Sequence, residues 1–547
     1  MSTKRKPFAV LDLETDPFKA GRLPRPFAAG FYNGDYPSLY WGDDCIKYLI
    51  EDLKEYDGYV YAHNGGKFDF HFMLDYLEPG TIKIINGRIA EMKIGKAILR
   101  DSFLILPVPL SAHSKTPINY EKFEAHCREK HKSEILDYLR DDLHDLFSFV
   151  SAFFDRFPRR LTMPGIAIGE LEKQCGKIER QSQNHDEKFR RFYYGGRVEC
   201  FKSGKIEGDF KLIDINSAYP AAMRDFHPVG SEYKFTRKIP NDRIKRACSF
   251  YKINATNKGA APARDKKGGI DFGDYSGEMM ITGHELMAGL ETDTLQIHQI
   301  HGIYEPQKVK NFAPFVDRFY AEKLEAEKAG DKTARLFAKL VMNSSYGKFA
   351  SNPEKYQDFE IGKPGKANAF IKEGYSLELT DFGGYWLWSR PIDTDTPQAR
   401  YFDVATAASI TGHVRAFLWR SINAVVDPVY CDTDSILCRD TGALVIGEEL
   451  GQWSVETTVS VAYVAGKKLY TMKTPDGWKT ASKGVKASHE QVKAAALGES
   501  VFVERETPTY SAKSAPTFNN RIIRNTAKIL EKTKTINDNS KRGIRHK

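Results

Sequence analysis

The chain contains 547 residues, of which 81 are Lys or Arg and 72 are Asp or Glu, giving a net charge of +9 at pH 7. This length predicts about three or four domains, and the positive balance suits a polyanionic partner. The seven cysteines are scattered and include no Cys-x-x-Cys pair, which argues against a disulfide framework or a zinc site. The sequence shows neither a signal peptide nor an apolar run of membrane-spanning length, so we expect no membrane segment.

The first predicted elements carry carboxylates at their ends. Phe8–Thr15 reads as a buried strand, and the period of two places Asp12 and Glu14 on one face. A second strand, Tyr59–Ala62, runs into a glycine-containing turn and then a helix whose first turn holds Asp69. The sequence therefore predicts an acidic cluster where these segments meet.

A third segment, Ser133–Leu143, predicts an amphipathic helix with Tyr138 and Asp142 on one face, because they are four residues apart. Alone, each such segment is more typical of a capped helix or a solvated surface. Together they supply four carboxylates that could hold two metal ions about 3.5 to 4 Å apart for attack on a phosphodiester, with Tyr138 orienting the water. These carboxylates are Asp12, Glu14, Asp69 and Asp142.

The order Asp-x-Glu, Asn with Phe-Asp, then Tyr-x-x-x-Asp resembles the 3′→5′ exonuclease of family B DNA polymerases. The resemblance implies a ribonuclease H-like exonuclease domain over residues 1–190. It also implies that Thr15, Asn64 and Phe68 hold the unpaired 3′ end, with Phe68 stacking on a base. Lys115 is the candidate for a lysine that the family places near the reaction centre.

Arginines, aromatics and a glycine pair follow in Arg190–Arg197, which we call the hinge segment. A plain glycine loop explains this composition as well as contact with nucleic acid does. The segment resembles the Tyr-x-Gly-Gly motif that joins the exonuclease and polymerase domains of the family. That resemblance makes Tyr193, Gly195 and Gly196 candidate DNA-binding residues.

Lys211–Pro220 predicts an apolar strand that ends at Asp214 and is broken by Pro220. It resembles the family's motif A, with Ala218 in place of the usual leucine. By that resemblance Asp214 is a metal ligand of the polymerase site. Tyr219 would then close the pocket under the sugar and exclude a 2′-hydroxyl.

The region 311–350 predicts two helices separated by Ala329–Asp331. In the second helix, two cations, an amide and an aromatic follow one another at steps of four, four and three residues, which places them on one face. A solvated helix face is the simpler explanation of this pattern. This helix resembles motif B, which implies that its cations neutralise the incoming triphosphate while the other two side chains face the nascent base pair. The residues are Arg335, Lys339, Asn343 and Tyr346.

Val429–Leu437 places two carboxylates, Asp432 and Asp434, between apolar residues. In a strand they would project from one face and need a cation between them, whereas the alternative is the turn of a hairpin. The stretch resembles motif C of the family. With Asp214, the pair would hold two Mg²⁺ ions, for which Mn²⁺ can substitute.

Basic residues surround this stretch. Thr411–Arg415 predicts a helix start, where Thr411 is either a cap or, with Arg415, a contact to template phosphates. Lys468 and Tyr470 resemble the Lys-x-Tyr motif that steadies the primer terminus, and Lys483 a following Lys-Gly segment. From residue 491 the chain reads as a thumb with a basic tail over residues 540–547.

Two stretches exceed what the chemistry requires: a first insert over 254–306 and a second over 351–400. In the second, Asp381–Trp388 predicts a β-hairpin. The inserts resemble the terminal-protein regions of protein-primed polymerases, although variable surface loops are an alternative. The rest of the polymerase domain, 191–547, would then be palm (191–253 and 401–490), fingers (307–350) and thumb.

The sequence is thus identified as a member of the protein-primed branch of family B DNA polymerases, similar to the short tectivirus-type phage enzymes. This implies a mixed α/β multidomain protein that copies a viral or linear-plasmid genome in the cytoplasm of a bacterial host, with proofreading and strand displacement. Its partners would be template and primer DNA, deoxynucleoside triphosphates and a terminal protein, and the chain would act as a monomer or as a heterodimer with the terminal protein. The alternatives are a nucleic-acid-primed or primer-independent polymerase and a silent DNA-binding relative. Three repelling carboxylates argue against the silent relative.

Overall fold

The computed structural model describes residues 6–19, 22–237, 246–265, 268–392, 402–483, 487–501, 503–504, 510–512 and 522–523. The predicted basic tail at 540–547 and most of the predicted thumb lie outside these residues. No helix of the described part is long and apolar enough to cross a membrane.

The N-terminal domain contains these strands: β1 (Phe8–Thr15), β2 (Pro26–Tyr32), β3 (Ser38–Trp41), β4 (Tyr59–Ala62), β5 (Gly80–Ile85), β6 (Arg88–Ile94) and β7 (Ala97–Asp101). Its helices are α1 (Cys45–Glu55), α2 (Lys132–Arg156), α3 (Met163–Cys175) and α4 (Gln183–Arg190). β4 runs parallel to β1 and β7, and the other neighbours in this sheet are antiparallel. The sheet therefore mixes parallel and antiparallel pairs.

The strands that follow are β8 (Val198–Cys200), β9 (Gly204–Ile215), β10 (His227–Pro228), β11 (Tyr233–Thr236), β12 (Phe250–Lys258), β13 (Ala263–Arg264), β14 (Ile270–Asp271), β15 (Asp274–Thr282), β16 (Leu295–Pro306), β17 (Val309–Lys310), β18 (Gln357–Gly362), β19 (Ser376–Phe382), β20 (Tyr385–Pro391), β21 (Val426–Asp432), β22 (Ser435–Asp440), β23 (Trp453–Gly466), β24 (Leu469–Thr474), β25 (Gly477–Ser482), β26 (Val503–Glu504) and β27 (Ile522–Ile523). The helices that follow are α5 (Ala218–Met223), α6 (Gly283–Glu291), α7 (Ala313–Lys328), α8 (Lys332–Ser344), α9 (Tyr346–Phe349), α10 (Ala367–Lys372), α11 (Val404–Ala424) and α12 (His489–Ala496).

β1 and β4 have the predicted bounds, because their apolar residues fill both faces of the sheet. After β4 the chain enters two short 3-10 helices, Gly65–Lys67 and Asp69–Tyr76. A Cβ on Gly66 would lie 2.0 Å from the carbonyl oxygen of Ile89, so only glycine allows this approach to β6. The turn brings Asp69 towards the end of β1.

A second sheet forms the centre of the C-terminal part, in the order β25-β24-β23-β9-β22-β21-β8. β9 continues to Ile215, and the chain then turns at Ser217, whose φ of 55° is left-handed. The prediction that Pro220 ends this strand is wrong, since Pro220 lies inside α5. α11 includes Thr411 in its middle, so the prediction of a helix start there is also wrong.

The two predicted helices of the fingers are α7 and α8, and the Asp331 side chain caps α8 by accepting from Ala334 N at 2.9 Å. α8 ends at Ser344, and Tyr346 begins the separate short helix α9. Tyr346 is therefore not on the same helix as Arg335, contrary to the prediction.

The first insert is a four-stranded sheet, β11-β16-β12-β15, with α6 against one face. The predicted boundary at residue 254 falls inside β12 and is wrong. The sheet already includes β11, because Tyr233–Thr236 pairs with the end of β16.

The second insert contains the predicted hairpin, β19 and β20, closed by Gly383 and Gly384 at φ of 63° and 75°. β18 pairs with β20 on one side and with β5 of the N-terminal domain on the other. The insert thereby extends the N-terminal sheet to ten strands. It also shares that domain's hydrophobic core through Phe359, Ile361 and Leu387.

Candidate active sites

The N-terminal sheet gathers carboxylates at the end of β1. Ligand oxygens of Asp12, Glu14 and Asp142 lie within 4.8 Å of one another. Asp69 is buried and close enough to Asp12 to raise its own pKa, after the larger effect of burial. The structure therefore brings together the four carboxylates that the sequence predicted.

These carboxyls are costly to ionise together. Burial raises the pKa of Asp12 to about 7, and the neighbouring Asp142 adds to the shift. Burial and the Asp12 carboxylate raise the pKa of Glu14 well above its ordinary value. Asp142 Oδ1 is buried and accepts no hydrogen bond in the described part of the chain. Crowded oxygen ligands with an unsatisfied oxygen fit a hard divalent cation.

Two further side chains face this cluster as predicted from sequence. Lys115 Nζ lies 3.1 Å from Asp142 Oδ2 and 5.3 Å from the ring centroid of Tyr138. The Tyr138 hydroxyl lies 3.2 Å from that of Tyr120, and burial raises its pKa far above the ordinary value. The sequence analysis missed Tyr120, whose hydroxyl is a hydrogen-bond partner of the Tyr138 hydroxyl.

A cleft of about 490 Å³ opens beside the carboxylates and is lined by residues that include Asp12, Asn64, Lys115 and Asp142. Asn64 adopts a left-handed φ of 68°, and its Oδ1 accepts from Arg88 Nη1 at 2.8 Å. The cleft therefore gives access from solvent to the carboxylates.

The other predicted strand-binding residues differ in their accessibility. Thr15 is 9% exposed and donates to the Asp16 carbonyl. Phe68 is half-buried, and its ring lies 5.4 Å from that of Phe18 and 5.5 Å from that of Tyr510. The chain thus brings a C-terminal aromatic next to Phe68.

The second acidic site is the turn between β21 and β22, Asp432–Asp434, which we call the acidic turn. Asp432 ends β21, Asp434 lies in the turn, and Thr433 between them has a φ of 62°. The hairpin alternative was therefore right and the single-strand interpretation wrong. Ser435 of β22 pairs with Asp214 of β9, and Ile215 N donates to Asp434 O at 2.8 Å. The acidic turn therefore lies beside Asp214.

The electrostatics repeat those of the first site. Burial raises the pKa of Asp214 to about 7, with Asp434 as the next cause. Burial and Asp432 raise the pKa of Asp434 to about 6. Lys468 Nζ lies 2.5 and 2.6 Å from the two oxygens of Asp432. Three clustered carboxylates with one adjacent cation again suit divalent metal ions.

A cavity of about 420 Å³ lies over the acidic turn. Tyr219 and Tyr346 stack on its wall, with ring centroids 4.0 Å apart. Asn343 also lines it, and its buried Oδ1 has no hydrogen-bond partner among the described residues. An unsatisfied amide beside two aromatic rings suits a planar polar ligand such as a nucleobase.

The predicted cations of α8 lie outside this cavity. Lys339 is exposed, and Arg335 pairs with Glu327 at 3.4 Å. Both lower the pKa of Lys323 on α7, after the larger effect of burial. Lys323 therefore belongs to the same basic cluster, which the sequence analysis missed because its helix precedes the motif.

The hinge segment touches the acidic turn. A Cβ on Gly196 would lie 2.7 Å from Thr433 Oγ1, so this contact requires glycine. Gly195 lies against Ile270 of the first insert, and Tyr193 is half-buried.

The prediction that Arg415 contacts template phosphates is wrong. Arg415 is 1% exposed, pairs with Glu285 at 2.6 Å and donates to the carbonyls of Tyr194 and Gly195. It supports the hinge segment from within the protein.

Tyr470 lines the cavity, and Lys483 lies next to Lys468. The Tyr470 ring lies 4.8 Å from that of Tyr430, and Lys483 N donates to Lys468 O at 3.0 Å. The Tyr430 hydroxyl accepts from Lys468 N at 3.0 Å and donates to Asp432 at 3.3 Å. Tyr430 thus links the turn between β23 and β24, which carries Lys468, to the acidic turn. Its place in motif C could have suggested this role.

Comparison with known proteins identifies the family. The model of "DNA polymerase type B, organellar and viral" matches residues 110–389. The DNA-directed DNA polymerase of Enterobacteria phage PRD1 is 43% identical over 485 residues, covering 87% of this chain and 85% of the phage protein. The chain belongs to the organellar and viral type B DNA polymerases. The match covers most of the length of this polymerase and of the phage enzyme.

More distant relatives agree with this polymerase in fold. The DNA polymerase of Bacillus phage phi29 is 24% identical over 538 residues, covering 83% of this chain and 85% of the phage protein. A solved structure of phi29 DNA polymerase with primer-template DNA and incoming nucleotide substrates superimposes with a TM-score of 0.67 at 18% identity. It covers 89% of this chain and 95% of the solved one.

Proposed function

We propose that this DNA polymerase also proofreads through a 3′→5′ exonuclease site and starts synthesis on the hydroxyl of a terminal protein. The observation that carries the proofreading proposal is the presence of two separate carboxylate sites in one chain. One lies at the end of β1 and the other at the acidic turn. A single activity needs only one of them.

At the acidic turn, Asp214, Asp432 and Asp434 would hold magnesium ions, which supply charge stabilisation to the attacking 3′ oxygen and the leaving pyrophosphate. Lys468 Nζ, which pairs with Asp432, would neutralise the primer-terminal phosphate once metal ions occupy the carboxylates. Tyr470 lies beside it and would pack on the primer sugar. Asn343 would bond the nascent base pair.

Substrate contacts follow from the cavity walls. The Tyr219 ring would exclude a 2′-hydroxyl, because Tyr346 stacks on it and blocks its retreat. The basic cluster of Lys323, Arg335 and Lys339 would bind the triphosphate by charge. The Tyr193–Gly196 part of the hinge segment and Lys483 would bind template and primer phosphates.

In the N-terminal domain, Asp12, Glu14, Asp69 and Asp142 would hold the metal ions of the exonuclease. The Tyr138 hydroxyl would orient the attacking water, and Lys115 would stabilise charge on the scissile phosphate from beside Asp142. Thr15, Asn64 and Phe68 would hold the unpaired 3′ end along the cleft.

Protein priming is supported by the two inserts, which form folded units beside the acidic turn and on the N-terminal sheet. The first insert is a four-stranded sheet, and the second joins β5. A folded second insert attached to the N-terminal domain would enclose DNA and favour strand displacement. By this proposal the protein acts in the cytoplasm of a bacterial host, as a monomer or paired with the terminal protein.

The test supplies Mg²⁺, deoxynucleotides and a single-stranded circular template, with and without an annealed DNA primer. Products longer than the circle only with the primer support a strand-displacing polymerase that needs a supplied hydroxyl. Transfer of a labelled nucleotide to the protein encoded beside this chain would then support protein priming. Products without any primer would overturn it, and the absence of product in every reaction would contradict the polymerase itself.

A further inference from the structure

Arg197, the last residue of the hinge segment, is a buried cation that the motifs leave without a role. Its side chain is 1% exposed and pairs with Glu199, which is equally buried. Its guanidinium carbon lies 4.0 Å from the ring centroid of Trp419 and 4.2 Å from that of Phe272. Arginines are rarely buried this fully unless their charge is paired and their plane is stacked.

The groups around this guanidinium come from different parts of the chain. Arg197 Nη1 donates to the carbonyl of Gly259 at 2.7 Å, and Gly259 and Phe272 both belong to the first insert. Trp419 belongs to α11, and its Nε1 donates to Thr294 of the same insert at 2.9 Å. The Arg197 side chain is therefore held by contacts with both the insert and α11.

The main chain of Arg197 holds the acidic turn. Its carbonyl accepts from Thr433 N at 2.6 Å, and the next residue, Val198, pairs with Asp432. Thr433 is β-branched and has a φ of 62°, a conformation that such residues adopt only when their surroundings impose it. The Arg197 carbonyl is part of what imposes it.

We propose that Arg197 is a positioning residue for polymerisation. Its clamped side chain fixes its carbonyl, the carbonyl fixes Thr433, and the turn then presents Asp432 and Asp434 towards Asp214. The position of the first insert thereby helps to determine the positions of the metal ligands of the polymerase site. This inference rests on the assignment of the acidic turn to polymerisation.

The test uses the full chain with Arg197→Lys, which keeps the charge but loses the stacked plane, and Phe272→Leu, which keeps the ion pair but removes one face of the clamp. The matched control is Arg100→Lys in the N-terminal domain. Arg100 lies 3.9 Å over the Tyr59 ring and 2.6 Å from Glu91, so the same chemistry is changed far from the turn.

The first measurement is amide hydrogen exchange of a peptide covering 429–436 in metal-free protein. We expect the Thr433 amide to exchange about tenfold faster in both variants and at the parent rate in the control. The second is the Mg²⁺ concentration for half-maximal primer extension. We expect this Mg²⁺ concentration to rise about fivefold in both variants, because misplaced ligands bind metal less well. The Mg²⁺ concentration for half-maximal 3′-end degradation should stay unchanged.

An unchanged Thr433 exchange rate in both variants overturns the proposal, whatever the activities do. Faster exchange without a shift in the Mg²⁺ dependence of extension overturns its catalytic half. If Arg197→Lys fails to fold, as loss of the native melting transition would show, Phe272→Leu decides alone. If the parent protein extends no primer but the Thr433 amide exchanges faster in the variants, the assignment of the acidic turn to polymerisation is wrong. The role of Arg197 in positioning the turn is then retained.

Discussion

Tyr219 of α5 and Tyr346 of α9 stack with their ring planes 8° from parallel and their centroids 4.0 Å apart. The two residues come from the predicted palm and fingers, so the stack joins these parts at the floor of the cavity. Tyr219 is also half-buried, and desolvation raises the pKa of its hydroxyl. A ring held in this way is rigid enough to act as a steric barrier.

Replacing this ring with a smaller side chain should admit ribonucleotides. We expect Tyr219→Val to lower discrimination against a 2′-hydroxyl by roughly 10- to 200-fold, the range for a steric change in a packed pocket. The measurement is kcat/KM for matched ribo- and deoxynucleoside triphosphates. Tyr219→Phe is the control and should discriminate like the parent. If the Tyr219→Val variant still rejects ribonucleotides, the Tyr219 ring is not the steric barrier.

The acidic turn should be indispensable for synthesis. We expect Asp434→Asn to lower primer extension by more than about 10³-fold, because a metal ligand is lost while the size of the side chain is kept. DNA binding and 3′-end degradation should persist, since the carboxylates at the end of β1 lie in another domain. Extension at the parent rate would show that Asp434 holds no metal.

The N-terminal carboxylates should control degradation independently. The double substitution Asp12→Ala with Asp69→Ala should abolish release of nucleotides from the 3′ end of single-stranded DNA and leave primer extension intact. The Tyr120→Phe variant provides a graded comparison, because it loses only the hydroxyl beside Tyr138. Continued degradation by the double variant would show that the exonuclease site lies elsewhere.

Lys323 should contribute to nucleotide binding although it lies outside motif B. We expect Lys323→Ala to raise KM for deoxynucleotides about tenfold with little change in kcat, because one cation of the basic cluster is lost. Lys328→Ala at the end of the same helix is the matched control. Equal KM values in the two variants would remove Lys323 from the cluster's function.

Metal binding should depend on pH in the neutral range. Asp12 and Asp214 have pKa values of about 7, raised by burial and then by Asp142 and Asp434 respectively. Because these folded-state values exceed the ordinary 3.8, the free energy of unfolding of the metal-free protein should fall as pH rises from about 4 to 7. Bound metal reverses the trend by favouring the ionised forms.

Calorimetric titration with Mn²⁺ at pH 6 and pH 8 measures this linkage. We expect Mn²⁺ to bind more tightly at pH 8. For each proton that the metal displaces, the affinity should fall about tenfold for every pH unit below the pKa of the carboxyl. Asp214→Asn should weaken the dependence at the polymerase site. Identical affinity at the two pH values would contradict the raised pKa values.

The sequence by itself determined the local parts of the N-terminal carboxylate site. The strands Phe8–Thr15 and Tyr59–Ala62 have the predicted bounds, and the carboxylate spacings place their members correctly. Such features depend on side-chain alternation and on steps of four along a helix, which neighbouring residues fix without the rest of the chain.

Only the tertiary structure decided which basic residues reach a ligand and which serve the protein. Arg415 resembled a phosphate contact, yet it is buried against Glu285, which is 130 residues away in sequence. The second insert joins β5, and Lys323 joins Arg335 and Lys339, through contacts between separate elements. Burial and strand pairing at this range depend on how elements pack, so a sequence pattern carries no local trace of them.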